Sequence, residues 1–500
     1  MSGRLPAVAA VLALVLTTLV SGRPAAAAPR GLAALPAAIR VNVAGLKLVS
    51  GRFSAIGTLA VALPDGRVIY RGGSAVQVRT DVYRFKSGRR LPDRRTLEEA
   101  GVDRPGRLAL LREARIAERE EGLGAIAVVP FEVAVLSGLD PIGEIALHAE
   151  RPALAKFTSD DGLVTYQGRP YRGTLELAID DEGDLIVVNT VPTFDYLASV
   201  VGSEIPDSWH PEALAAQAIA ARTYLITHLR RHQAYDLEGD VRDQAYHGLA
   251  GVTDRTSRAV ERTRGIVATY DGAAIEALYS ASAGGVTEDS ENVFGNALPY
   301  LRSVASPWDQ VAETSSWGRT SWRWTKEIAS FQLGDQLRAR GLDVGVPQRI
   351  DVTAVSPTGR VLAARVVGSA GTRDIGKDRS RYYFGLMSAL FTVEKGGGGE
   401  VESVSYLDYQ RASELEALGA RRTAVGYRVV WDEDHEHASL VLSSYVYEKP
   451  ARFIFTGRGF GHGVGMSQWG MQGLALAGKS AEDILTYYYR GIALTDIGGD

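Results

Sequence analysis

The sequence contains no cysteine in 500 residues. That excludes disulfides, zinc–thiolate sites, thiol nucleophiles and lipid attachment through an N-terminal cysteine. Stability must come from core packing. A strong charge of one sign is also missing: 55 Lys and Arg stand against 59 Asp and Glu, a formal net charge of -4. No global basic field addresses nucleic acid or an anionic membrane, although a local cleft remains free to be basic. No apolar tract reaches the ~20 residues that span a bilayer. The longest, AVAAVLALVLTTLV, follows Arg4 and precedes SGRPAAAA. This pattern predicts an export signal over residues 1–28, cleaved after Ala28, and a secreted, extracytoplasmic chain without a membrane span in its mature form. Internal repeats are absent, as are the G-x-S-x-G and H-E-x-x-H patterns that would mark hydrolase and metallopeptidase chemistry.

What is present is an ordinary globular balance, with 45% hydrophobic and 23% charged residues, and length for two to four domains. Residues 38–90 alternate apolar and polar positions between Pro-Asp-Gly and Gly-Gly breaks, which predicts antiparallel strands. Residues 91–122 are charged and partly helical in pattern. The expectation is an α+β protein: a β-rich N-terminal domain of unknown role over 29–155, then a catalytic region of mixed strands around a buried helix over 156–500. Within that region, 311–395 reads as an α+β subdomain and 401–450 as an insertion, with GGGGE near 396 as a flexible joint. VPTFDYLASVV reads as a strand. EALAAQAIAARTYLITHLRRH, after Pro211 at a first-turn position, reads as a central buried helix.

Two stretches carry candidate chemistry. In VVGSEIPDSWHPEAL, Glu204 lies at the end of an apolar run, in a strand end or the loop before the helix. Partly apolar surroundings would raise its carboxyl pKa and suit it to general acid work; on local pattern alone, compensation of the following helix N-terminus is the leading account. In GRGFGHGVGMSQWG, glycines alternate with larger residues around His462, and Ser467 and Gln468 open a helix. The loop reads either as a ligand cradle of N–H donors, an imidazole and an amide, or as a tight buried connection. LYSASAGGVT reads as a substrate-lining turn rather than an activated serine. His210, His228, His232 and His247 lack metal-ligand spacing, so no metal is expected, and His228 with His232 reads as a solvated helix end. The aromatic residues Trp209, Tyr246, Tyr279, Trp308, Trp469 and Tyr487 to Tyr489 are suited to stacking on sugars, although core positions account for most of them.

Together, VNTVPTFDYLASVVGSEIPDSWHPEALAAQAIAARTYLI, DQAYHG, AVERTRGIVATYDGAAIEALYSASAGGVTE, LPYLRSVASPWD, SPTGRVLAARVVG and GRGFGHGVGMSQWGMQGLALAGKSAEDILTYYYRGIALTDI resemble the SpoIID/LytB family, named for stage II sporulation protein D and the amidase enhancer. The resemblance runs from about residue 170 to the C-terminus. It implies a lytic transglycosylase acting on peptidoglycan glycan strands, notably strands stripped of stem peptides, with Glu204 as the catalytic acid and base. It further implies that Gln217, Arg222, Tyr279, Ser282, Gly284, Gly285, His462 and Gln468 line the cleft. Some members carry zinc through cysteines near the position of DQAYHG; those cysteines are absent here, so no zinc or other cofactor is carried over. The alternative the resemblance leaves open is a non-catalytic wall-binding protein or an enhancer of a cell-wall amidase, which would then be a partner.

Overall fold

A computed structural model describes residues 32, 34–44, 50–73, 75–87, 126–137, 140–146, 153–179, 185–229, 232, 234–398, 401–417, 419–431 and 438–498. The export signal and the partly helical stretch at 91–122 lie outside these residues. The fold is α+β and divides into two compact units. One, here the Glu204 unit, comprises Pro24–Ala277, Ser480–Leu485 and Gly491–Asp500; the other, the His462 unit, includes Leu278–Lys479 and Thr486–Arg490.

The Glu204 unit is built on a seven-stranded sheet in the order Leu237–Glu238, Ala38–Asn42, Leu185–Pro192, Thr174–Ile179, Ala153–Ser159, Leu59–Ala62, Val68–Gly72. Its pairings are antiparallel except the short parallel contact of Leu237–Glu238 with Ala38–Asn42. The sheet thus draws strands from both sides of residue 155. A six-stranded sheet, ordered Arg169–Arg172, Leu163–Tyr166, Ser50–Ser54, Val76–Ser87, Ile126–Ser137, Asp140–Ala146, does the same. Phe53 of one sheet stacks on Phe157 of the other with ring centroids 3.9 Å apart, and both rings are fully buried.

The structure corrects the strand expected at VPTFDYLASVV. Strand Leu185–Pro192 turns directly into helix Thr193–Glu204. Pro192 takes the N-cap position and Asp195 sits in the first turn, where a carboxylate complements the helix dipole. Residues 196–201 are buried without a break, so the middle of the helix is enclosed by the fold. Helix Pro211–His228 follows and is buried on nearly every side. Its alanines let neighbouring backbone approach closely. The first turn is capped by His210, whose Nδ1 accepts the Glu212 N–H at 3.3 Å. His228 is not a solvated helix end: it is buried, with its ring stacked 3.7 Å from Tyr224.

In the His462 unit, a three-stranded sheet (Arg323–Ala329, Arg452–Arg458, Phe391–Gly396) and an antiparallel meander (Pro347–Val355, Val361–Gly368, Gly371–Gly376) enclose helices Ser330–Ala339 and Arg379–Phe384. Their core is Phe384, Phe391, Phe453, Phe455, Leu333, Leu337 and Val366. Each large side chain buried there stabilises by roughly 1.5–3 kcal/mol. Strands Phe391–Gly396 and Arg452–Arg458 pair with each other down to Gly396 opposite Arg452. Between their ends, residues 401–448 form a separate sheet, Val401–Ser405, Ala438–Glu448, Arg421–Trp431, with helix Tyr409–Ala417. That sheet has its own small core of Val404, Leu415, Ala420 and Tyr447.

Candidate active site

In the Glu204 unit, Glu204 is the last residue of helix Thr193–Glu204, not part of a strand or of the loop before the next helix. The chain leaves the helix there because Ile205 precedes Pro206 and is extended, φ -139° and ψ 153°. A helix C-terminus carries negative partial charge and disfavours a carboxylate. The acidic residue in the first turn of the following helix is Glu212. What holds Glu204 is the segment Asp243–Gly248: the Ala245 N–H donates to Glu204 Oε1 at 2.8 Å. The carboxyl group is half-buried, with Val201, Ile205 and Trp209 buried in the adjoining chain.

Arg222 and Gln217, expected to line a cleft, are both fully buried in helix Pro211–His228. Arg222 does not face a ligand. Its guanidinium donates to the Val260 carbonyl at 3.2 Å, Thr263 Oγ1 at 3.3 Å and the Ile266 carbonyl at 3.4 Å, so it clamps helix Asp254–Arg262 and strand Ile266–Tyr270 to the central helix. Gln217 is different: neither its Oε1 nor its Nε2 has a partner among the described residues. Leaving such a group unsatisfied costs about 1–3 kcal/mol, and with no accessible surface the amide does not line a cleft.

Glu238, which the sequence reading passed over, is buried close to the same segment. Its carboxylate accepts from Asn42 Nδ2, Tyr235 Oη and Arg242 Nη1 at 2.7–2.9 Å. Burial pushes its pKa up to about 7, against the pull of Tyr235 and Arg242. It ties strand Ala38–Asn42 to the turn that leads into Asp243.

The remaining predicted residues, Tyr279, Ser282, Gly284, Gly285, His462 and Gln468, belong to the His462 unit. Tyr279 is half-exposed on a two-residue strand, Tyr279–Ser280, that runs parallel to Met466–Ser467. This pairing joins the two glycine-rich stretches. Phe460 and Ser282 exchange both backbone hydrogen bonds, at 2.9 and 3.0 Å. Gly284 and Gly285 have φ +72° and +101°, which favours glycine; a Cβ on Gly284 would also meet the Arg458 carbonyl carbon at 2.9 Å. Ser282 is fully buried and its Oγ donates to Asp309 at 3.0 Å; it shapes the turn rather than meeting a ligand. Gln468 is buried as the first residue of helix Gln468–Leu476.

Asp309, also missed from sequence, organises this region. Fully buried, it accepts from Ser282 Oγ, the Gly284 N–H, Ser306 Oγ and Ser467 Oγ at 2.6–3.0 Å. Burial pushes its pKa up while the three hydroxyls and the amide pull it back. Arg360, equally buried, donates to the Ala283 and Val286 carbonyls at 2.6 and 2.9 Å and so holds the turn from the other side. His462 is neither a free base nor a simple connector. Its Nδ1 accepts the Val464 N–H at 3.0 Å, which requires the unprotonated nitrogen there. Burial, and then the Arg381 guanidinium, push its pKa down to about 3; the ring is neutral throughout the physiological range. Of the aromatic candidates, Trp209, Tyr246, Trp469, Tyr488 and Tyr489 are buried, leaving Tyr279, Trp308 and Tyr487 half-exposed. Among the described residues no group of three or more His, Asp or Glu is placed to hold a metal ion, and no helix is long and apolar enough to cross a membrane.

This geometry defines an α+β protein whose Glu204 region is a SpoIID domain: residues 181–270 match the family model described as stage II sporulation protein, SpoIID. Residues 295–407 match a domain of unknown function, DUF8618. The likeness to SpoIID proteins extends beyond that domain over most of the chain. The chain is 27% identical over 389 residues to stage II sporulation protein D of Bacillus subtilis, covering 74% of this chain and 91% of that protein. It is 30% identical over 315 residues to the amidase enhancer of Bacillus subtilis, covering 60% of this chain and 40% of that one. An uncharacterised protein of Brachyspira hyodysenteriae is 28% identical over 345 residues, 68% of this chain and 76% of that protein.

Proposed function

We propose that this protein is an extracytoplasmic lytic transglycosylase that cleaves the bond between N-acetylmuramic acid and N-acetylglucosamine in peptidoglycan glycan strands, above all in strands stripped of stem peptides, with Glu204 as acid and base. A cell-wall-related function is supported by kinship with stage II sporulation protein D and the amidase enhancer. The observation that carries the enzymatic reading is the placing of Glu204: a half-buried carboxyl group at the unfavourable end of a helix, with the Ala245 amide on its Oε1.

One carboxyl group serves both steps. Glu204 gives its proton to the glycosidic oxygen, the bond to the muramic C1 breaks, and the glucosamine leaves as an alcohol. The substrate's own acetamido group stabilises the cation. The Glu204 carboxylate then takes the proton of the muramic C6 hydroxyl as O6 bonds to C1, which closes a 1,6-anhydro ring and restores the acid. No water is consumed, unlike the two-carboxylate hydrolases. Gly284, Gly285, Asp309 and the neutral His462 act by shaping backbone. Incubation of the purified protein with denuded strands tests this. Anhydro-muramic ends are expected from the wild type, and Glu204→Gln, with unchanged circular dichroism, should lower their formation by at least about 10²–10⁴-fold.

A second reading is an amidase enhancer, with a cell-wall amidase as partner, because one relative bears that name. Strand binding without cleavage, together with a faster amidase reaction, would favour it.

A further inference from the structure

The segment Gln244–His247 has no regular secondary structure, yet its polar groups are matched to one face of helix Thr193–Glu204. Tyr196 Oη donates to Gln244 Oε1 at 3.0 Å. Ser199 Oγ donates to the Gly248 carbonyl at 2.6 Å. Ser203 Oγ accepts the His247 N–H at 3.2 Å, and Glu204 accepts the Ala245 N–H. Residues 196, 199, 203 and 204 recur at helical spacing, so a single face holds the segment. Gln244 is the one side chain of the segment that bridges two helices. It is fully buried; its Oε1 takes the Tyr196 hydroxyl proton and its Nε2 donates to the Ala221 carbonyl of helix Pro211–His228 at 3.4 Å. An amide supplies both the acceptor and the donor from one planar group.

We propose that Gln244 is the positioning residue for Glu204, fixing the Ala245 amide on Oε1 so that the acid form carries its proton on Oε2. An N–H only donates, so the oxygen it faces stays an acceptor in both protonation states. A carboxyl group turned half round would set O–H against N–H. Gln244, one residue before Ala245, keeps that amide in place through both helices. This inference rests on the proposed role of Glu204 and names the group that orients it.

Two variants of the full chain test it. Gln244→Met keeps the volume and removes both bonds; Tyr196→Phe removes one hydroxyl. Each should lower kcat on denuded strands by about 10–100-fold, the range a misplaced reacting group costs, with KM within twofold. The double variant should lose no more than Gln244→Met alone, because both substitutions break one chain of bonds. Hydrogen–deuterium exchange of the peptide covering 243–248 should quicken at least about tenfold in Gln244→Met. Unchanged kcat, or unchanged exchange, overturns the inference, as does a fall in kcat matched by a rise in KM. If Gln244→Met does not fold, Tyr196→Phe carries the same test. If the wild type cleaves no glycan, the enzymatic reading fails by itself, and the exchange of 243–248 still decides whether Gln244 holds the segment.

Discussion

Replacing Asp309 by alanine probes how the glycine-rich turn is held. The carboxylate accepts four donors, all inside the protein. Two have another acceptor nearby: the Gly284 N–H reaches Ser282 Oγ at 3.2 Å, and Ser306 Oγ lies 2.7 Å from Tyr488 Oη. The hydroxyls of Ser282 and Ser467 are left without one of their donor bonds. At about 1–3 kcal/mol for each buried group left unsatisfied, the cost is about 4 kcal/mol. For a unit of this size that lowers Tm by roughly 8–16 °C, at 2–4 °C per kcal/mol. Six of the seven tryptophans (308, 317, 322, 324, 431 and 469) belong to the His462 unit, so intrinsic tryptophan fluorescence follows its melting. Asp309→Asn keeps the shape but turns one acceptor into a donor, and should lose about half as much. A shift below about 2 °C in both variants would refute the view that this carboxylate organises the turn.

Acid should act through His462. Its pKa is depressed from 6.5 to about 3, so between those values the unfolded chain binds a proton that the folded chain refuses. Stability is then full above pH 6.5 and falls as the pH drops toward 3; from pH 6.5 to 4.5 the loss is about 2–3 kcal/mol. Guanidinium titrations at both pH values should show that loss in the wild type and a smaller one in His462→Asn. Gly202→Ala places a Cβ 2.0 Å from the Gly251 carbonyl oxygen. Neither backbone has room to move, so this variant should lose about 1–3 kcal/mol in urea denaturation and, two residues from Glu204, most of its activity. Tyr447→Ala empties a fully buried site in the small core with Val404 and Leu415. At about 3–5 kcal/mol it should open residues 401–448 to limited proteolysis; resistance equal to wild type would contradict an independent core there.

Elements with one strong local pattern were legible in the sequence. Pro211 followed by an alanine-rich run gave the buried helix. Pro-Thr-Gly between two apolar runs is a turn signal, and Pro347–Val355 pairs with Val361–Gly368 across it. The S-A-E-D pattern at Ser480 is a capping signature, and the Ser480 N–H bonds Asp483 Oδ2 while its Oγ accepts the Asp483 N–H, both at 3.1 Å. Thr193–Glu204 was misread because its aromatic and β-branched residues carry strand propensity, and because residues 196–201 are all buried, which leaves no helical period to read. Asp309 was invisible because its partners lie 3, 25, 27 and 158 residues away, and no local window contains them. Ser282 and Arg222 carry polar groups that look available for a ligand in sequence. In the fold the Ser282 hydroxyl is bonded to Asp309 and the Arg222 guanidinium to three neighbouring oxygens.

The central claim, that Glu204 drives an intramolecular attack by the sugar, is tested most directly by cutting denuded glycan strands in H₂¹⁸O and weighing the new ends. The account predicts unlabelled 1,6-anhydro-muramic ends from the wild type and none from folded Glu204→Gln. Reducing ends carrying ¹⁸O, or anhydro ends formed undiminished by Glu204→Gln, would contradict it.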